Sequence, residues 1–208
     1  MKLTIQKKPD QDRNCLIKLD DSVWGTLSER VLRTLFHYQT GVFEISDAEA
    51  DAIRSELLNT ARKKLLDWLA RQERCSQESN TFLKKQQFHS SIVSTCLDEA
   101  KNRHYIDDTR YCRILIESLV ERKKSPLQIK SKLIEKRLPA SLWEPLLTEL
   151  YDNREQTANL KEQAEKAFKR YRNLEQRIAY QKCLTALYRL GFDIDDARGV
   201  LADLFDFR

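Results

Sequence analysis

Glycine is scarce in this chain. Only four occur in 208 residues: Gly25, Gly41, Gly191 and Gly199. No two stand close enough to build G-x-G-x-x-G, a P-loop or a G-x-S-x-G elbow, so functions that depend on such loops are not expected. Proline is equally rare, with four. The two together leave little turn material for an all-β fold. The five cysteines, Cys15, Cys75, Cys96, Cys112 and Cys183, include no C-x-x-C. Their odd number and irregular spacing read as free, buried thiols in a reducing compartment. His37, His89 and His104 are too dispersed to form a zinc site, and no metal or cofactor is expected. No apolar run approaches the ~20 residues a membrane span needs. Met1 to Asp12 is polar and lacks a signal-peptide core. The expectation is a soluble, cytoplasmic monomer.

Charge and helix-forming residues are what the chain does have. Charged residues make up 33% and hydrophobic residues 41%, with a net charge of +5. This composition suggests amphipathic helices with wet outer faces. The positive excess is spread through the chain and does not form a basic tail. Net charge alone therefore argues only weakly for nucleic acid.

The N-terminal segment, residues 1–46, reads as a small β-hairpin followed by a short helix. Leu16, Ile17 and Leu19 precede the turn-prone pair Asp20-Asp21, and Val23, Trp24 and Leu27 follow it. Ser28-Glu29 then opens a helix bearing Val31, Leu32, Leu35 and Phe36, and Gly41 marks a break. Ser46 and Glu49 have the S-x-x-E form of a capping box. The spacing predicts a long helix from there to about Arg74, with Ile53, Leu57, Ala61, Leu65, Trp68 and Leu69 on one face.

Beyond Leu65 the sequence repeats. A shift of 50 places Leu65, Leu69, Leu83, Phe88, Cys96 and Leu97 on Leu115, Leu119, Leu133, Leu138, Leu146 and Leu147. Glu99 meets Glu149. A further shift of 54 places Leu133, Leu138, Leu146 and Leu147 on Leu187, Phe192, Val200 and Leu201. The match spans three helices at one offset, which a single amphipathic helix does not produce by chance. The expected fold is mostly α. Three tandem three-helix units, 47–107, 108–152 and 153–208, would form an elongated, curved array behind the hairpin segment. Such arrays build extended binding surfaces more often than catalytic pockets. Ser125, Pro126 and Gln128 offer an N-cap, a first-turn proline and an N3 glutamine for the middle helix of the second unit. Gly191 can take the left-handed position after the matching helix of the third unit. The first unit has Cys75 where the second has Ser125, and Ser76 could act as the cap one residue later.

These junctions resemble the RecX family, bacterial regulators of the RecA recombinase. The carriers are LLDWLARQERCSQE from Leu65 to Glu78, His104-Tyr105-Ile106-Asp107-Asp108 at the first junction, Lys124-Ser125-Pro126-Leu127-Gln128-Ile129, and Arg189-Leu190-Gly191-Phe192-Asp193. The likeness covers residues 14–207. The chain departs from the family at three turns, where Gln87, Arg137 and His104 stand in place of glycine. A non-glycine residue held left-handed costs ~1–2 kcal/mol. Those turns are therefore either rebuilt or strained. The resemblance implies a non-catalytic protein that binds the RecA filament on single-stranded DNA. It would touch the DNA directly or through RecA, and restrain ATP hydrolysis, filament extension and strand exchange.

Two basic stretches are the candidate contacts. The first is Arg122, Lys123 and Lys124 with Lys130, Lys132, Lys136 and Arg137. In the helix it opens, Ile129 and Leu133 form the buried line. Lys132 and Lys136 flank that line on one side, Lys130 and Arg137 on the other. This is either a phosphate-tracking face or a solvated helix with lysine stems over the core. The second stretch is Lys166, Lys169, Arg170, Arg172 and Arg177. Tyr171 lies within it, on the Ala164–Phe168 stripe, and is read as core packing while the charges are read as contacts. Asp107-Asp108 reads as helix capping and not as an acid-base pair. Trp68 and Trp143 read as core; Trp24 suits either docking on the first unit or a partner contact. Cys75 is the thiol to watch, because a helix N-terminus can lower a thiol pKa. The alternative function is general nucleic-acid binding without recombinase specificity. An enzyme is the least expected class.

Overall fold

The computed structural model describes residues 1–8, 11–151 and 153–205. The chain divides into two compact units, Met1–Asp107 and Asp108–Arg208. The first holds a sheet and one three-helix repeat. The second holds two three-helix repeats. Ten helices and four strands occur among the described residues.

The sheet of the first unit has four antiparallel strands: β1 (Lys2–Lys8), β2 (Gln11–Leu19), β3 (Ser22–Ser28) and β4 (Gly41–Glu44). Their order is β3-β2-β1-β4. The expected hairpin is β2–β3. Its turn residues Asp20 and Asp21 both have positive φ, 46° and 64°. That combination suits the right-handed twist of a two-residue hairpin loop. The structure extends the sheet by β1 and β4, which the residue pattern does not announce. β1 has only Leu3 and Ile5 among polar residues, and β4 is four residues long. Pairing explains them: Leu3 lies between Leu19 and Phe43, and Ile5 lies opposite Ile17. Leu3, Ile5, Ile17, Leu19 and Leu27 are all buried in the unit's core.

The ladder between β2 and β3 shifts by one residue at Trp24. Such a bulge bends the strand and re-aims a side chain. The Trp24 ring stacks on His89 with centroids 4.3 Å apart. The Trp24 carbonyl accepts the His89 amide at 3.0 Å, and Arg54 lies 4.9 Å over the ring. Trp24 therefore docks the sheet onto the repeat. Beside it, a Cβ on Gly25 would meet Phe88 at 2.8 Å and Leu57 at 2.9 Å. Here glycine allows backbone and core to touch.

α1 (Glu29–Leu35) starts at Ser28, whose hydroxyl accepts the Val31 amide. α2 (Asp47–Leu69) starts with the expected capping box, formed in both directions by Ser46 and Glu49. It ends at Leu69, short of the expected Arg74. The amides of Arg71 and Gln72 turn back to the carbonyls of Trp68 and Leu69, tightening the last turn. α3 (Ser76–Lys85) and α4 (Ser90–Asn102) complete the first repeat. Cys75, not Ser76, is the N-cap of α3. It makes no side-chain cap bond and is fully buried, so its thiol is not presented to solvent. Trp68 is only half-buried. It stacks on Phe82 at 4.5 Å, with Arg74 lying 4.7 Å over its ring.

The second repeat is α5 (Asp108–Glu121), α6 (Pro126–Glu135) and α7 (Ala140–Leu150). The third is α8 (Asn153–Tyr171), α9 (Gln176–Arg189) and α10 (Ile194–Leu204). Four buried lines run through the middle helices at the shifts of 50 and 54. They are Cys75/Ser125/Ala179, Ser79/Ile129/Cys183, Leu83/Leu133/Leu187 and Phe88/Leu138/Phe192. The first two lines include serines, which a match of apolar residues passes over. The repeat also carries an ion pair between its outer helices. Arg62 grips Glu99 at 2.5 and 2.6 Å, and Arg113 grips Glu149 at 3.0 and 3.2 Å.

Each middle helix ends in the same turn. Gln87, Arg137 and Gly191 have φ of 64°, 55° and 80°. Their amides bond to Lys84, Ile134 and Tyr188 carbonyls, and the next amides bond to Leu83, Leu133 and Leu187 carbonyls. This is the paired closure of a Schellman motif, with Phe88, Leu138 and Phe192 as its buried hydrophobic contact. The turns after α3 and α6 are not rebuilt; Gln87 and Arg137 are held left-handed. His104 is held left-handed as well, with φ of 56°.

Candidate functional site

The first basic stretch begins at the corner between α5 and α6. Lys123 ends α5 in the left-handed conformation, with φ of 56°. Its amide bonds to Val120 and that of Lys124 to Leu119, again a Schellman closure. Adjacent elements then fix the corner from several sides. The Lys123 carbonyl accepts from Asn159 Nδ2 at 2.6 Å, and the Lys124 carbonyl accepts from the Tyr151 hydroxyl at 3.1 Å. Ser125 is fully buried. Its Oγ accepts the Gln128 amide, capping α6, and donates to the Leu190 carbonyl at 2.5 Å. The basic corner of the second repeat is thus tied to α8 and to the turn after α9.

The charges at this corner are not equivalent. The Lys123 ammonium pairs with Glu162 on α8. Lys166, one turn further along, pairs with the same carboxylate at 2.9 Å. These two ammonium groups, Lys123 foremost, pull the Glu162 carboxyl down to about 2. Lys132 pairs with Glu135 at 2.7 Å, and Lys130 lies 5.7 Å over the Trp143 ring. Lys136 caps α6 through its backbone. Arg122, Lys124 and Arg137 are exposed and carry no ion pair among the described residues. Ile129 and Leu133 form the buried line, as their spacing requires.

The second basic stretch starts on the last turns of α8 with Lys166, Lys169 and Arg170, passes its end at Arg172 and reaches Arg177 at the start of α9. Lys169, Arg170 and Arg172 are exposed, and Arg170 lies 5.4 Å from the Tyr171 ring. Glu162 joins the two stretches by pairing with Lys123 of the first and Lys166 of the second. Neither Glu162 nor Asn159 was singled out from the sequence. Their contacts with Lys123 cross 39 and 36 residues, and local spacing carries no sign of them.

Asp107 directly precedes α5, and Asp108 is its first residue. No three His, Cys, Asp or Glu side chains converge as metal ligands among the described residues. Burial pushes the Cys96 thiol up to about 11, away from the thiolate form that reactivity requires. The arrangement offers exposed cations on a rigid helical frame.

Comparison with known proteins gives the same likeness over most of the chain. The family model "RecX, third three-helix domain" matches residues 154–201. Regulatory protein RecX of Streptococcus sanguinis (strain SK36) is 30% identical over 202 residues, covering 95% of this chain and 75% of the relative. That of Streptococcus equi subsp. equi (strain 4047) is 26% identical over 191 residues, covering 91% and 72%. A crystal structure of regulatory protein RecX superposes with a TM-score of 0.68 at 25% identity, covering 96% of this chain and 98% of that one. RecX from Lactobacillus salivarius shares the fold, with a TM-score of 0.64 at 23% identity over 71% of this chain and 96% of that one.

Proposed function

The chain belongs to the RecX family, and from that premise we propose that it is a non-catalytic regulator of a RecA filament on single-stranded DNA. Binding would restrain the filament's ATP hydrolysis, extension and strand exchange. The protein would act in the cytoplasm; no described helix is long and apolar enough to cross a membrane. One observation carries the reading: the basic corner at Lys123-Lys124 is held by Asn159, Tyr151 and Glu162 at a junction of successive repeats. The fixed backbone sets where the Arg122 and Lys124 side chains leave the corner, so less freedom is lost when they meet a regular, repeating anionic partner. Arg122, Lys124 and Arg137 supply unpaired charge beside the corner, and Lys169 and Arg170 on α8 supply more, with Arg172 just past its end.

The test is RecA's single-strand-dependent ATPase at near-physiological salt, with this chain titrated well below one per recombinase. Inhibition at low ratio supports action on the filament. Inhibition only when the chain saturates the DNA indicates competition for phosphate, and the general nucleic-acid-binding function then replaces this one. Reversing the charges of Lys123, Lys124, Lys130 and Lys132 is expected to weaken inhibition while leaving helicity intact. Retained inhibition moves the contact elsewhere.

A further inference from the structure

A groove of about 760 Å³ runs along the exposed face of α9 and reaches Tyr171 at the end of α8. Its volume is that of a ligand site. Arg177, Lys182 and Arg189 line it, with Ile178, Gln181 and Tyr171 between them. No carboxylate lines it, and none of its three cations forms an ion pair among the described residues. The helix spacing accounts for the layout. Positions 178, 182, 185 and 189 fall on one face, and residues 177 to 189 span roughly 18 Å along the axis.

Tyr171 has two roles here. Its ring packs against the core of the third repeat and also lines the groove. Lys182 lies 5.7 Å and Arg170 lies 5.4 Å from its centroid. Ile178, between these cations in the groove, is 47% exposed. Large apolar groups set among unpaired cations are a costly way to face water. They suit a ligand that is flat and apolar on its faces and anionic along its spine.

We infer that this groove binds a stretch of single-stranded DNA, with a base stacked at Tyr171 and phosphates held by Arg177, Lys182 and Arg189. Aromatic platforms beside a cationic track are the shared device of proteins that hold single strands without reading sequence. An acidic protein segment would use the charges but not the ring. The assignment goes beyond the recombinase reading, since bare DNA tests it without recombinase present.

The experiment is fluorescence anisotropy of a short labelled oligothymidylate with the full chain over a salt series. The triple variant R177Q/K182Q/R189Q changes only exposed side chains. It is expected to bind at least about 10-fold more weakly, with the log–log salt slope reduced by about 2, near 0.7 for each of three phosphates. Tyr171→Leu keeps an apolar side chain on the core and is expected to lose about 10-fold, within the usual range for one stacked base. Tyr171→Phe is expected to bind as the parent does. Unchanged binding by the triple variant overturns the assignment, as does displacement of the oligonucleotide by polyglutamate at equal charge. Unchanged binding by Tyr171→Leu also overturns it. The two readings separate by their readouts. Loss of oligonucleotide binding through these residues, with the ATPase of RecA untouched, keeps the groove and removes the filament function.

Discussion

The turns after α6 and α9 have the same sign of φ, the same pair of backbone hydrogen bonds and the same kind of buried closing side chain. One is built on Arg137 and the other on Gly191. Conformation alone does not explain the difference, because Arg137 adopts it. The neighbours do. A Cβ on Gly191 would stand 2.8 Å from Ser125 Oγ and 2.9 Å from Leu127 Cβ. Both belong to the second repeat, which here touches the turn after α9. Arg137 is exposed, so its side chain projects freely. A left-handed turn tolerates a side chain where the repeat faces water. It excludes one where the next repeat touches the backbone.

Gly191→Ala is expected to have the largest effect. It adds left-handed strain of ~1–2 kcal/mol and an overpacking cost of ~1–3 kcal/mol, so a loss of about 3 kcal/mol is expected. Urea unfolding of the full chain measures it. A loss near 1 kcal/mol would mean that strain alone acts and that the contact with Ser125 and Leu127 yields. Arg137→Gly and Gln87→Gly relieve strain without filling space, and each is expected to raise stability by about 1 kcal/mol. Melting temperatures that fall instead would show that the Arg137 and Gln87 side chains contribute contacts of their own.

The smallest effect concerns the link between α8 and the corner. Glu162 has its pKa pulled down by Lys123 and Lys166. A depressed carboxylate stabilises the fold while it stays charged. Its contribution is whole above the ordinary glutamate value of about 4.3. It is lost as pH falls through about 2. An NMR titration of the Glu162 carboxyl is expected to show no protonation between pH 7 and 4. A midpoint at the ordinary value would mean that the two lysines do not hold it in solution.

The helices and their repeat were legible because burial imposes a 3.6-residue period, and three units impose it at nearly one offset. The caps at Ser46 and Ser125 were legible because they use adjacent residues. The edge strands were not, because β1 has two apolar residues and gains its identity only from Leu19 and Phe43 on either side. Trp24 left two options open in the sequence, and the bulge together with His89 selected docking. Tyr171 read as core from its stripe. The structure shows it packed on the core and lining the groove, because a helix edge belongs to both. The sequence marks Arg189 only as part of a turn and gives no sign of Lys182, since their common face with Ile178 matters only once α9 is known to leave it uncovered.

The helical class, the three repeats, the turn positions and the excess of cations are written in the residues themselves. Each follows from residues near one another in the chain, where periodicity, capping and φ preference act directly. Which cations are neutralised, which turn requires glycine, and where the two basic stretches meet are set by packing. Those outcomes depend on contacts between residues 36 to 65 apart, such as Asn159 with Lys123 and Ser125 with Leu190. Such contacts exist only after the repeats have packed, and no local preference encodes them.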